Sequence, residues 1–151
     1  MKKLQLLPIL ALLFLLNVAS TCSNDDNSSS SNQTQVSNTV TSGTWRISLY
    51  NDSGTVKTAN YTGYNFTFGA NNVLLATNSS NNYSGTWSVT DSNSTDDSLS
   101  DLDFNILFMT PANFADLSDD WDIVSRTDNK IELIDVSGGN GGTDYLTFEK
   151  N

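Results

Sequence analysis

The chain of 151 residues carries 17 acidic and seven basic side chains, which give it a net charge of −10 at neutral pH. Phosphate backbones and anionic lipid surfaces repel so acidic a protein, and nucleic acid is therefore not an expected partner. The sequence contains no histidine, which excludes histidine-based catalytic triads and histidine-based zinc sites. A single cysteine leaves no partner for a disulfide within the chain.

Residues 1–21 have the order of a secretory signal peptide. Lys2 and Lys3 precede an apolar run from Leu6 to Leu16, and small residues then lead to Cys22. This run is too short to span a membrane, which takes about 20 residues. The small residues followed by cysteine resemble the cleavage site of bacterial lipoproteins, so we expect acylation of Cys22 and attachment to a membrane through the lipid. The alternative is an ordinary signal peptide cut nearby, which leaves a free thiol.

The residues after the cysteine indicate a location. Ser23-Asn24-Asp25-Asp26 resembles the short acidic tag that sends some lipoproteins of Gram-negative bacteria to the outer face of the outer membrane. We therefore expect the protein to be lipid-anchored in the outer membrane at the cell surface, with its periplasmic face as the alternative. A solvated acidic linker is the other interpretation. After removal of residues 1–21 the mature chain keeps five basic side chains against 17 acidic ones, a net charge of −12.

Residues 22–42 are predicted to be a disordered tether. This stretch has no aromatic residue, and its only large apolar residues are two valines, so it buries too little surface to offset its ordering entropy. The remainder, residues 43–150, has the size of one domain.

Within this domain, apolar and polar residues alternate with a period of two, and turn residues interrupt the pattern at intervals of about ten residues. Aromatic and β-branched residues are enriched, as is typical of strands. One helical turn is predicted at 111–117, where a proline opens a segment that contains Phe114 and Leu117. The pattern predicts eight strands, at residues 44–50, 63–68, 72–77, 83–90, 102–110, 121–126, 130–136 and 143–149.

Eight consecutive strands with short connections favour an all-β fold, an up-and-down antiparallel barrel, because closure removes the exposed sheet edges. A two-sheet β-sandwich is the alternative architecture. The alternation assigns 18 large side chains to the inside: Trp45, Ile47, Leu49, Tyr64, Phe66, Phe68, Trp87, Val89, Leu102, Phe104, Ile106, Phe108, Trp121, Ile123, Ile131, Leu133, Leu146 and Phe148.

The start of the first strand resembles the G-x-W signature of the lipocalins, in the form Gly43-Thr44-Trp45. This resemblance implies that Gly43 lets the chain enter the barrel closely and that Trp45 plugs its closed end. The arginine that closes the barrel in lipocalins is missing near the C-terminus. Lys150 is the nearest cation there, and Arg126 is the alternative substitute.

A second lipocalin signature, T-D-Y, is matched by Thr143-Asp144-Tyr145, which here precedes the last predicted strand. A longer series covers nearly the whole domain, with the segments SGTW, GYNFTF, SGTWSV and SGGNGGTDYLTFEK. This series resembles uncharacterised lipocalin-like surface lipoproteins. The resemblance implies a barrel fold and a location at the cell surface, and it suggests a ligand inside the barrel.

The inward aromatic residues are the expected lining of such a ligand site. Aromatic side chains offer large contact areas to apolar or aromatic ligands. The alternative is a packed core, because an eight-stranded barrel is just wide enough for its own side chains or for one small ligand. The glycine-rich hairpin at residues 138–142 would lie at the mouth of a ligand-binding barrel. The predicted lining consists of Trp45, Tyr64, Phe66, Trp87, Phe104 and Trp121.

Three carboxylates flank an aromatic ring in Asp119-Asp120-Trp121-Asp122. They fit a calcium site, a platform for a sugar or the solvated start of a strand. Calcium takes about six to eight oxygens, so carboxylates from other loops would have to converge on these three.

No set of residues identifies a reaction, a metal site or a cofactor, so we expect a protein that is not an enzyme. The first functional hypothesis is a carrier that holds a small apolar or aromatic ligand inside the barrel. The alternative is a structural module, or one that interacts with proteins or glycans, at the cell surface.

Overall fold

The structure of the protein is a computed structural model that describes residues 28–91, 101–137 and 141–151. The predicted signal peptide, Cys22 and residues 138–140 of the glycine-rich hairpin lie outside the described residues.

The described residues form two α-helices and nine strands. The helices are α1 (Ser28–Val40) and α2 (Ala112–Ala115). Single 3-10 turns at Thr58–Tyr61 and Ala70–Asn72 precede the third and fourth strands. The strands are β1 (Trp45–Asp52), β2 (Thr55–Val56), β3 (Asn65–Phe68), β4 (Val73–Thr77), β5 (Asn82–Asp91), β6 (Leu102–Leu107), β7 (Asp119–Arg126), β8 (Lys130–Val136) and β9 (Thr143–Lys150).

Eight of these strands close into an antiparallel barrel. Strands β3 to β9 pair with one another in sequence order. Strand β1 closes the ring, because it pairs with β9 through six aligned residue pairs and with β3 through Trp45 and Phe66. The predicted barrel is therefore confirmed, and the sandwich is not formed.

The ninth strand, β2, folds back on the end of β1 and was not predicted. Ser53 and Gly54 form the two-residue connection, and both have positive φ angles. Two-residue hairpin turns require such angles because they match the twist of the paired strands.

The interior matches the predicted pattern except at two positions. Tyr64 is only half-buried, and Leu49 is 38% exposed whereas the adjacent Tyr50 is 1% exposed. The pairing of β1 with β9 shifts between Ile47 and Leu49, as in a β-bulge. The extra residue turns Tyr50 inward, so the predicted inward position of Leu49 is wrong.

The predicted disordered tether is wrong for residues 28–40, which form helix α1 against the barrel. Val36 and Val40 lie one helical turn apart, and both are fully buried. Gln33 Nε2 donates to the carbonyl of Val89, 2.5 Å away, in a part of β5 beyond its pairing with β4. Such tertiary contacts stabilise a helix whose polar sequence gives it little stability of its own.

Candidate functional site

One end of the barrel is closed by Trp45, which is fully buried. Its indole Nε1 donates to the carbonyl of Val40 at 2.8 Å, at the last residue of α1. The Lys150 ammonium lies 5.4 Å from the centre of the indole ring, a cation–π contact. Gly43 has a φ of 108°, and a Cβ there would lie 3.1 Å from Lys150 Cε, so the close entry of the chain requires glycine.

The two candidate cations have different roles at this end. Lys150, the last residue of β9, faces the indole ring of Trp45. Arg126 instead holds helix α1, because its guanidinium donates to Thr39 Oγ1 at 2.8 Å and to Gln35 Oε1 at 3.1 Å. The sequence identified both residues as candidate cations but could not separate their roles, because α1 was not predicted.

The opposite end is closed by the segment around α2. Phe114 in this helix is fully buried, and its ring lies 4.8 to 6.1 Å from five other aromatic rings. Such edge-to-face and tilted contacts are favourable beyond the area that they bury. The five rings around Phe114 belong to Tyr61, Tyr64, Phe66, Tyr83 and Phe108.

Aromatic donors hold the backbone of this segment in place. Tyr50 Oη donates to the carbonyl of Asp116 and Tyr61 Oη to that of Asn113, both at 2.5 Å. Burial, together with nearby carboxylates such as Asp52, raises the pKa of Tyr50 well above its usual value. Burial also raises the pKa of Tyr61, so both hydroxyls keep their protons and remain donors.

Further hydrogen bonds fix the end of the same segment. Trp121 Nε1 donates to the carbonyl of Leu117 at 3.1 Å. The hydroxyl of Ser118 accepts from Phe108 N at 2.8 Å and donates to Phe108 O at 3.0 Å. The end formed by α2 is thus tied to the barrel wall at several points.

Between the two ends, buried aromatic side chains of the described residues contact one another. Phe66 contacts Phe148, Phe148 contacts Phe68, and Phe68 contacts both Trp87 and Phe104, with ring centres 5.4 to 5.6 Å apart. These contacts link the rings around Phe114 to the middle of the barrel.

The predicted ligand lining therefore belongs mainly to the packed interior. Trp45, Phe66, Trp87, Phe104 and Trp121 are buried in one continuous apolar cluster. Tyr64, which packs on this cluster, is the member of the predicted set that is partly exposed.

The T-D-Y motif lies at the same end of the barrel as α2. Asp144 Oδ1 accepts from the backbone N of Ser53 at 2.7 Å and from its hydroxyl at 3.0 Å. Gly142 approaches the same turn so closely that a Cβ would lie 2.2 Å from Ser53 Oγ. The motif thus ties the β1–β2 hairpin to β9, which sequence reasoning did not foresee because β2 was not predicted.

Of the three clustered carboxylates, those of Asp119 and Asp120 interact directly through their side chains. The alternation of β7 places Asp119 on the same face as the buried Trp121, whereas Asp120 and Asp122 are exposed on the outer face. Burial raises the pKa of Asp119 to about 6, and the neighbouring carboxylates of Asp135 and Asp120 add to this effect. Within the described residues, no group of three or more acidic or cysteine side chains is arranged to hold a metal ion.

The outer face of the barrel carries a groove of about 530 Å³ across β5 and β6. The outward side chains of Thr86, Ser88 and Thr90 follow β5 along the groove, and Asn105 and Leu107 follow β6. Sequence reasoning missed this surface, although the alternation that buried Trp87 and Ile106 also placed these side chains outside.

These features define the class of protein: a closed antiparallel barrel with a buried aromatic core and a helix at each end. Neither of the two described helices is long and apolar enough to cross a membrane.

No protein-family model and no curated protein matches the chain. A similar solved structure is the crystal structure, at 1.00 Å resolution, of a DUF4847 family protein from Bacteroides vulgatus ATCC 8482. The two chains are 17% identical, with a TM-score of 0.49, and the similarity covers 77% of this chain and 97% of the other. A similarity of this level does not assign the chain to a family.

Proposed function

We propose that the chain is a lipid-anchored, non-catalytic barrel module that binds its partner on the outer face and not inside the barrel. The observation that carries this proposal is the packing of aromatic side chains through the interior of the barrel. Trp45 with α1 closes one end, Phe114 with α2 closes the other, and contacting rings occupy the space between them. A barrel that is filled by its own side chains leaves its surface for recognition.

The proposed anchor is a lipid on Cys22, with the protein displayed at the cell surface of a Gram-negative bacterium. The support is the order of basic residues, apolar run, small residues and cysteine. Cells that grow on a clickable fatty acid should label the wild type and leave Cys22→Ala unlabelled. Equal labelling of the two would remove the anchor from the proposal. Proteolysis of whole cells then separates the cell surface from the periplasmic face.

The absence of catalysis is proposed from the chemistry that the chain offers. It has no histidine, and its one cysteine is the proposed acylation site. Carboxylates remain, but glycoside hydrolysis needs two of them at a defined separation around a substrate. The carboxylates of Asp119 and Asp120 interact directly, so they lack the separation that a pair needs to hold a substrate between them. A hydrolase activity that survives purification and is lost in one Asp→Asn variant would overturn this part.

Small-molecule binding tests the proposed outer-face function against the carrier. Trp45 and Trp121 are buried and do not line the groove, so in a Trp87→Phe background the tryptophan fluorescence reports on ligands that enter the barrel. Fatty acids, retinoids, haem and small aromatic compounds should leave the tryptophan emission in this background and the melting temperature of the wild type unchanged. Phe114→Ala is the matched control, because it opens a space among five rings in which indole should bind. Saturable binding to the wild type would favour the carrier.

The carrier remains the second candidate function because of one observation. Tyr64 and Tyr83 are only half-buried, and their rings stack 5.9 Å apart beside Phe114. If the segment around α2 moved away, an apolar or aromatic ligand would meet these rings first. This candidate predicts that Tyr64→Ala weakens the binding of the ligand, whereas an outer-face substitution such as Thr86→Ala does not.

A further inference from the structure

The outer face of strands β4 to β6 carries an exposed apolar edge. Val73, Thr86 and Leu107 lie directly opposite one another across the three strands. Leu107 is 52% exposed, and Met109, two residues further along, is 84% exposed. Val73 is partly exposed as well. Leu107 lines the groove, Val73 lies beside it across Thr86, and Met109 follows Leu107 in the chain. We name these three residues the apolar edge.

Asp119 lines the groove directly, and further carboxylates lie beside it in positions that are fixed by strand register. Asp103 lies directly opposite Thr90 of the groove on one side and opposite Asp122 on the other. Asp120 lies opposite Asn105, which also lines the groove. We name Asp103, Asp120 and Asp122 the acidic edge. Like charges that face each other across two strands are destabilising, so their placement favours a partner that neutralises them.

The protonation of Asp103 reflects this crowding. Its pKa is raised, first by partial burial and then by the carboxylates of Asp120, Asp122 and Asp91. A cation placed at this edge would be attracted by several carboxylates at once.

Charge also decides which occupants fit the groove. Nucleic acid and anionic lipid are repelled by the acidic edge. A second copy of the chain that docked through the same surface would bring two acidic edges into one interface. All five basic residues of the mature chain make intramolecular contacts: Arg46, Lys57 and Lys130 with carboxylates, Arg126 with α1, and Lys150 with Trp45.

We propose that this outer face docks a segment of a partner protein that carries lysine or arginine at one end and apolar side chains at the other. The basic side chains would pair with the acidic edge, and the apolar ones would cover the apolar edge. The groove between them, with the hydroxyls of Thr86, Ser88 and Thr90, would take the backbone and polar groups of the segment. This inference rests on the proposed outer-face function and names its partner class.

The test uses three synthetic peptides of equal length, each with leucines in one half and with lysines, serines or glutamates in the other half. Isothermal titration at low and physiological salt should show saturable binding of the lysine–leucine peptide alone. Two substitutions together, Asp103→Asn and Asp122→Asn, should weaken this binding by about tenfold, because each exposed ion pair contributes up to about 1 kcal/mol. Leu107→Ser should weaken it by several-fold, and higher salt should weaken it further.

Asp135→Asn is the matched control. Asp135 and Asp144 also face each other across two strands, but they lie on β8 and β9, and neither is opposite a residue that lines the groove. The control variant should bind as tightly as the wild type. Melting curves of every variant establish that it is folded.

Three outcomes would overturn the docking proposal. One is no binding of the lysine–leucine peptide. Another is equal weakening by the control variant, which would show attraction to net charge alone. The third is binding of a neutral oligosaccharide that is insensitive to Asp103→Asn but lost in Leu107→Ser, which would favour glycan recognition. The outer-face function itself fails separately, through ligand-induced changes of tryptophan emission in the Trp87→Phe background.

Discussion

The two ends of the barrel are closed by the same type of hydrogen bond but from different parts of the chain. At the first end an indole donates to the last carbonyl of α1, and at the second end two tyrosine hydroxyls donate to carbonyls in and after α2. The last carbonyls of a helix have no partner within it, so each bond satisfies a group that would otherwise be buried without one.

The ends differ in how their parts are brought together. The Trp45 end combines α1 and Gly43, which precede β1, with Arg126 and Lys150 from the C-terminal part of the chain. The last two residues are charged. The Phe114 end depends on one short segment whose apolar side chain inserts among aromatic rings. Substitutions at the Trp45 end are therefore expected to lower the stability more. At the Phe114 end, the short segment can shift into the space that a substitution leaves.

The largest expected effect is that of Trp45→Ala. Truncation of a fully buried tryptophan should lower the free energy of unfolding by about 3–5 kcal/mol, because it leaves a cavity and removes the bond to Val40. Chemical denaturation measures the change, and Met109→Ala at an exposed position is the control. A loss below about 1 kcal/mol would mean that Trp45 does not close the barrel.

Phe114→Ala should cost about 3 kcal/mol, at the lower end of the range for buried aromatic residues, since a short segment can partly collapse into the space. The comparison of the two ends is contradicted if this variant is less stable than Trp45→Ala. Denaturation under the same conditions gives both values.

Arg126→Ala should loosen α1 without opening the other end. Loss of its hydrogen bonds to Thr39 and Gln35 should cost about 1–2 kcal/mol. Hydrogen exchange should speed up in residues 32–40 and stay unchanged in residues 112–118. Arg126→Lys is the matched variant that keeps the charge but not the two-pronged geometry. Uniformly faster exchange in both segments would show that the ends are not independent.

Tyr61→Phe should cost about 1 kcal/mol, because one hydrogen bond to Asn113 is lost while the ring contacts remain. The effect should be confined to the Phe114 end, and faster exchange at residues 112–118 would report it. Unchanged stability together with unchanged exchange would mean that the hydroxyl does not hold α2.

The smallest effect is a pH dependence from Asp119. Its pKa in the folded protein is about 6, above the ordinary 3.8, so the native state binds this proton more tightly than the unfolded state does. Its favourable contribution is complete below about pH 4 and is lost as the pH rises through about 6. Relative to Asp119→Asn, the wild type should lose about 1 kcal/mol over this interval, after allowance for solvent screening. Melting curves at several pH values test this, and the opposite slope would contradict it.

Alternation of apolar and polar residues was sufficient to predict the barrel, since each strand had to bury one face. It also placed Trp45, Trp87 and Trp121 inside, where all three lie. The alternation failed at Leu49, because a β-bulge adds one residue to the strand and so reverses which of the following side chains point inward. The residue types in the strand do not reveal the bulge.

Helix α1 could not be predicted from its own composition, because its stability comes from contacts with the barrel. The spacing of Val36 and Val40 by four residues was the only local signal. The candidate site was equally hard to locate. Strand patterns identify the inward aromatic residues but not whether they leave a space, which depends on the packing of Phe114 from a distant segment.

Xenon binding tests the filled interior most directly, because xenon enters apolar cavities that water leaves empty. Crystals of the wild type and of Phe114→Ala would be pressurised with xenon under the same conditions. We expect no xenon inside the wild-type barrel and one site among the rings around position 114 in the variant. Xenon bound between Trp45 and Phe114 in the wild type would contradict the account and restore the carrier as the leading function.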